Sequence, residues 1–256
     1  MRLRAEQRTV SRTAATRIVA LLVATLAGCG AADMPLAESP ANARTVTSPA
    51  GLVQLPCDEA SVLRPASPRY CAGDGKHWVT PTARAVLEAV TARFTRAHPG
   101  SAITYMEASW PSGIRPMPPH LSHGDGRQVD IALFHLDRAG KPLARPPTQS
   151  GYGAFEPPRP GEPRPCAAVT RPANNEDPPA NRGWQLDEAR NRTLIQALLD
   201  DPRVARILIE PHLEQRLGFA GHPKMRFPGC HAMRHDSHIH VEVVRDDSEG
   251  LADNTR

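Results

Sequence analysis

The sequence predicts an α+β domain: a small, mainly antiparallel sheet with flanking helices. Three observations lead there. Two stretches, "TPTARAVLEAVTARFTRAHPG" and "LDEARNRTLIQALLDD", repeat apolar residues at helical spacing. Four shorter apolar stretches, "AITYME", "QVDIAL", "VARILIE" and the run from His238 to Val244, read as strands. The sequence carries neither an internal repeat nor a nucleotide-binding glycine loop.

In the first helix Thr80 is the expected N-cap and Pro81 the first helical residue. Val86, Leu87, Val90 and Phe94 share one face, and Pro99-Gly100 stops the helix. A strand follows from Ala102 to Glu107, then the proline-rich loop "SWPSGIRPMPPH", then a second strand from Gln128 to Leu133. Residues 141–179 hold eleven of the 27 prolines and little periodicity. They read as a long surface excursion tied down by Cys166, and not as a second domain. In the second helix Leu194, Ile195, Leu198 and Leu199 face inward. "VARILIE" reads as a buried strand, "PHLEQRLG" as a short helix, and His238–Val244 as the last strand. Residues 246–256 are charged and read as a disordered tail.

Aromatic residues make up 4% of the 256, so the core must be mostly aliphatic. The formal charge is +4, but residues 1–28 hold five of the 31 basic side chains and one of the 27 acidic ones, which leaves 26 of each. The remainder has no net basic field to draw phosphate backbones, and nucleic acid is not an expected partner. Those first residues read as a targeting signal. Arginines precede an apolar run from Ile18 to Ala27, too short to span a bilayer. The run ends in "LAGC", which resembles a bacterial lipobox with Cys29 as the lipidated residue; an ordinary secretory signal is the alternative. Gly30 does not mark inner-membrane retention, so a periplasmic chain anchored in the outer membrane is expected. Residues 29–56 read as a flexible tether, and the domain as residues 57–245.

Four further cysteines, Cys57, Cys71, Cys166 and Cys230, suggest two disulfides in an exported protein. Four cysteines allow three pairings, and the sequence alone does not choose. Cys57–Cys71 as a local bridge and Cys166–Cys230 as a long staple are favoured. The lack of any CxxC pair weighs against cysteine-bound zinc.

Two segments hold the chemistry: "HLSHGDGRQVDIAL", with His120, His123 and Asp130, and "HDSHIHVEV", with His235, His238 and His240. Side chains alternate along a strand. Ile239, Val241 and Val243 therefore share one face of the last strand, and His238 and His240 the other. Likewise Val129, Ile131 and Leu133 face the core while Asp130 stands opposite. Two strands of one sheet can so present Asp130 and two histidines to one groove. Two imidazoles and a carboxylate are a common ligand set for catalytic zinc. Gly124 and Gly126 let the chain turn between His123 and Asp130. There is no HExxH, so histidine is the expected base. Strand geometry leaves open which of His238 and His240 is the ligand. Arg115, just before the first motif, is a candidate contact for a substrate carboxylate, and Asp236 for orienting a histidine.

These two segments resemble the metallopeptidase group of lysostaphin, the D-Ala-D-Ala peptidases and the hedgehog signalling domain, above all its penicillin-insensitive murein endopeptidase branch. That branch carries H-x-S-H-Q-x-G-x-x-x-D, where this chain has His120, Ser122, His123, Gly124, Gly126 and Asp130. It ends in H-D-x-H-x-H-V-R, where this chain has His235, Asp236, His238, His240, Val241 and Glu242. The helix–strand–helix before the last motif is similar too, and the resemblance spans roughly residues 75–245. It implies a hedgehog/D-Ala-D-Ala-peptidase-like fold. It implies one Zn²⁺ held by His123, Asp130 and His240, with His238 as general base. His120 and His235 would flank the site, and His120 is a further candidate ligand. The chain departs at Gly124, which replaces glutamine, at Glu242, which replaces a basic residue, and at "FPGCHAMR", which replaces a tryptophan-rich approach. These changes bear on substrate preference, not on the metal core.

The resemblance thus implies a zinc-dependent murein endopeptidase cutting the D-Ala–diaminopimelate cross-links of peptidoglycan. Two alternatives are a D,D- or L,D-carboxypeptidase trimming stem peptides, and a non-catalytic, zinc-stabilised murein-binding lipoprotein.

Overall fold

The computed structural model describes residues 46–72, 75–117, 122–168 and 181–245. The signal segment with Cys29, His120, the end of the proline-rich stretch and the expected tail lie outside the described residues.

In chain order the elements are β1 (Val53–Gln54), β2 (Leu63–Pro65), β3 (Trp78–Val79), α1 (Pro81–Ala97), β4 (Ile103–Tyr105) and β5 (Gln128–Ala132). Then come β6 (His135–Asp137), β7 (Trp184–Leu186), α2 (Glu188–Leu199), β8 (Val204–Leu208), α3 (Pro211–Arg216), β9 (Met225–Arg226) and β10 (His238–Val243). The main sheet has the order β2-β4-β5-β10-β8-β9. Its four central strands run antiparallel, and the outer β2 and β9 pair parallel with their neighbours. The fold is α+β, built on a sheet with few helices.

The helices form where expected, for the expected reasons. The Thr80 side chain accepts the Ala83 amide at 3.2 Å, and Pro81 occupies the first turn. Asp187 caps α2 by accepting the Arg190 amide at 3.0 Å. Helices α1 and α2 pack on each other. Val86, Leu87, Val90 and Phe94 of α1 meet Leu194, Ile195 and Leu198 of α2 in one core with Val129, Ile131, Ile239, Val241 and Val243 of the sheet. Asn191, fully buried, clasps α2 to the chain after β5. Its side chain accepts the Phe134 amide at 2.9 Å and donates to the Phe134 carbonyl at 2.8 Å. One face of the sheet is thus sealed by helices, and the other is left for Asp130, His238 and His240.

The boundaries differ from expectation at two places. The tether expected through residue 56 ends earlier. Leu52, Val53 and Leu55 are buried, and β1 pairs with β3 (Val53 opposite Val79). The proline-rich stretch is more than a surface excursion. It leaves and returns through a two-stranded neck, β6 against β7, and Ala154, Phe155 and Glu156 within it are buried. The missed strands have two or three residues each, too few to show a period. The sulfurs of Cys57 and Cys71, and of Cys166 and Cys230, lie at disulfide distance, 2.09 and 2.18 Å, in the favoured pairing. Among the described residues no helix is long and apolar enough to cross a membrane.

Candidate metal centre

The register between β5 and β10 builds the site. His240 stands directly opposite Asp130 on the neighbouring strand, so their side chains rise side by side from one face. His240 Nδ1 lies 2.9 Å from Asp130 Oδ1. His123 arrives from the turn before β5. At Gly124, with φ +134°, a Cβ would meet the Ile114 carbonyl oxygen at 2.4 Å, so only glycine lets the chain pass there. The His123 Nδ1–H donates to the Ala108 carbonyl at 2.9 Å. That bond selects the tautomer that leaves a lone pair on Nε2, which lies 3.3 Å from Asp130 Oδ1.

His123, Asp130 and His240 thus bring ligand atoms within 4.8 Å of one another, and all three residues are buried. Two donors on a tetrahedral zinc, each roughly 2.0–2.1 Å from the ion, stand about 3.3 Å apart. Lone pairs and a carboxylate this close are stable only with a proton or a cation among them. Burial alone would push the Asp130 carboxyl up, but the charges and hydrogen bonds of His123, His238 and His240 hold it well below the usual carboxylate range. Burial alone would lower His123, but Asp130 outweighs it and raises the imidazole. For His240 burial prevails over Asp130, and its imidazole is lowered. The group could hold a metal ion. Cys57, Cys71 and His77 also lie at ligand spacing. There both sulfurs are at disulfide distance, so they offer no thiolate.

His238 and His235 flank the triad. His238 Nε2 lies 3.9 Å from Asp130 Oδ2, and its Nδ1 lies 3.2 Å from the Ser237 hydroxyl. The rings of His235 and His238 are 4.7 Å apart. Burial brings His235 down to about 4, so it is neutral near pH 7. Its Nδ1–H donates to the Met233 carbonyl at 2.7 Å, which leaves Nε2 as an acceptor. The site opens into a cleft of about 940 Å³, lined on its apolar side by Phe155, Phe227 and Met233.

The Arg115 guanidinium pairs with Asp125 at 3.1 Å, and among the described residues it is not part of the cleft lining. The arginines lining the cleft are Arg69, Arg206, Arg226 and Arg234. They come from separate parts of the chain, so no local pattern marks them. Asp236 Oδ2 lies 3.9 Å from His212 Nε2. The Asp236 carboxylate is buried against the Arg234 guanidinium, whose Nε donates at 2.9 Å, and Arg234 in turn lies over the Phe155 ring.

Sequence reasoning missed Tyr152. Its hydroxyl lies 2.5 Å from Asp130 Oδ2, and its ring stands edge-on to His238 with centroids 4.9 Å apart. The one available signal was a tyrosine between two glycines, in a chain with three tyrosines. No model of a known protein family matches the chain, and no curated protein matches it.

Proposed function

We propose that the protein is a zinc-dependent peptidase of the bacterial cell wall, in the penicillin-insensitive murein endopeptidase branch. It cuts the peptide bond of D-Ala–diaminopimelate cross-links. The observation that carries this reading is the convergence of His123, Asp130 and His240 beside two further histidines at the floor of a cleft. Two imidazoles and one carboxylate leave a tetrahedral ion one position for water. Zinc bound there supplies a Lewis acid for the scissile carbonyl and a more acidic water.

The chain's own residues then do the rest. His238 takes the water proton and delivers it to the leaving amine. His235, neutral and with Nε2 open as an acceptor, orients the water. By the motif alone His120, outside the described residues, is a further candidate for the site. The cleft arginines meet the carboxylates of a murein stem peptide, the part first expected of Arg115. No side chain forms an acyl-enzyme, so β-lactams do not inhibit. Cys29 carries the lipid that holds the domain at the outer membrane, on the periplasmic side.

The test is digestion of purified murein by the zinc-loaded protein, with products weighed by mass spectrometry. Release of uncross-linked muropeptides, abolished by EDTA, is expected. Release that survives EDTA overturns the role of zinc. Unchanged murein overturns the substrate. Loss of single alanines from intact cross-linked material replaces the endopeptidase with a carboxypeptidase.

A further inference from the structure

We propose that Tyr152 is a positioning residue for the metal centre, delivered by the proline-rich segment, which holds Asp130 as a ligand through one oxygen only. The inference rests on the reading of His123, Asp130 and His240 as metal ligands.

A carboxylate can hold an ion through one oxygen or both, and the difference is one coordination position. In Asp130 the two oxygens have different neighbours. Oδ1 is the atom near His123 Nε2 and His240 Nδ1, at 3.3 and 2.9 Å. Oδ2 is the atom near the Tyr152 hydroxyl. A carboxylate oxygen can only accept, so the phenol O–H is the donor in this contact. A donated proton occupies Oδ2 and leaves Oδ1 to the ion. The fourth position then stays open for water. The same ring, edge-on to His238, restricts rotation of the candidate base. One side chain thus touches both a ligand and the base.

The segment is secured at this point more firmly than a loop tip needs. At Gly151, with φ +83°, a Cβ would meet Met106 Sδ at 2.2 Å, so the backbone lies flat on Met106. The Met106 amide in turn donates to the Asp130 carbonyl at 2.8 Å. The Thr148 hydroxyl donates to the Tyr152 carbonyl, and the Tyr70 hydroxyl to the Ser150 carbonyl, both at 2.7 Å. These bonds set the height of the phenol above β5.

The experiment compares wild type with Tyr152→Phe, which keeps the ring and removes the donor. Zinc affinity is measured by competition with a chromophoric chelator, and the Co²⁺-loaded proteins are compared by visible absorption. The variant is expected to bind zinc about 10- to 100-fold more weakly. Its Co²⁺ bands should lose intensity as the second carboxylate oxygen adds a ligand. A role limited to packing would leave the Co²⁺ spectrum unchanged. Equal affinity and equal spectra overturn the role of Tyr152 while leaving the metal site standing. Should wild type take up neither ion, the metal reading falls and this inference with it. Far-ultraviolet circular dichroism of the metal-free proteins checks that both are folded. If the Phe variant is not, Gly151→Ala takes its place, since it lifts the segment off Met106 and keeps the phenol. Weaker zinc binding and fainter Co²⁺ bands then support the role of Tyr152, and equal affinity with equal spectra overturns it.

Discussion

The two halves of the cleft are built differently. One half stands on the sheet: Asp130 on β5, with His238 and His240 on β10, held by a ladder and a sealed apolar face behind. The other half is a wall of chain without long elements, residues 141–168, which contributes Tyr152 and Phe155. The first half is positioned by backbone pairing, which repeats every two residues. The second is positioned by side chains that reach across the molecule. Arg216, buried on α3, holds Glu156 and Glu162, and Arg182 holds the Phe155 carbonyl at 2.8 Å. Under the proposed function the sheet would set the chemistry and the wall would set what reaches it.

If that division is right, damage should grade from the first half to the second. His238→Ala has the largest expected effect. It should keep its zinc by elemental analysis yet lose about 10²- to 10⁴-fold in turnover of cross-linked murein peptide. Activity near wild type would remove the histidine from its role and the sheet half from its primacy. Next comes the double change Cys166→Ser/Cys230→Ser. It should lower stability by about 2–4 kcal/mol in urea unfolding. Zinc affinity should stay unchanged, because Tyr152 is anchored on the near side of that bridge. A parallel loss of zinc would merge the two halves into one unit.

The third test uses pH. The Arg216 hydrogen bond holds the Glu162 carboxyl down to about 2, below its ordinary 4.5. A depressed carboxyl stabilises the fold above its unfolded value, and that stabilisation is lost as pH falls through the folded one. The melting temperatures of wild type and Glu162→Gln should therefore differ at neutral pH and converge between about 4.5 and 2. A constant gap would show that the ion pair does not secure the wall. The smallest effect is expected at Arg226, exposed at the cleft rim. Arg226→Ala should raise KM for an anionic stem peptide about 2- to 5-fold with kcat unchanged.

The same division explains what could be read in advance. Asp130 and His240 were legible because alternation on a strand is a local rule, and the aliphatic partners Ile131 and Val241 announce the face. The helices were legible from Thr80, Pro81 and the apolar spacing behind them. The choice between His238 and His240 was not, since both share a face. Register sets His240 rather than His238 directly opposite Asp130, which no local pattern announces. Tyr152, Arg226 and Arg234 were not legible because closure over long sequence distances carries no local period. The pairing of Asp236 with Arg234 was not legible either, since the motif around Asp236 draws attention to its histidine neighbours.

The β6–β7 neck has a consequence for how such a protein can change. Two antiparallel strands of three residues bring the ends of the segment together before and after it wanders. Closing a longer or shorter loop on that neck costs little extra, since the entropy rises only with the logarithm of length. Changes of length are therefore cheapest in the parts of the segment away from its anchors at Gly151, Glu156, Glu162 and Cys166. Under the role proposed for Tyr152, any replacement would have to bring its own hydrogen-bond donor for the outer oxygen of Asp130.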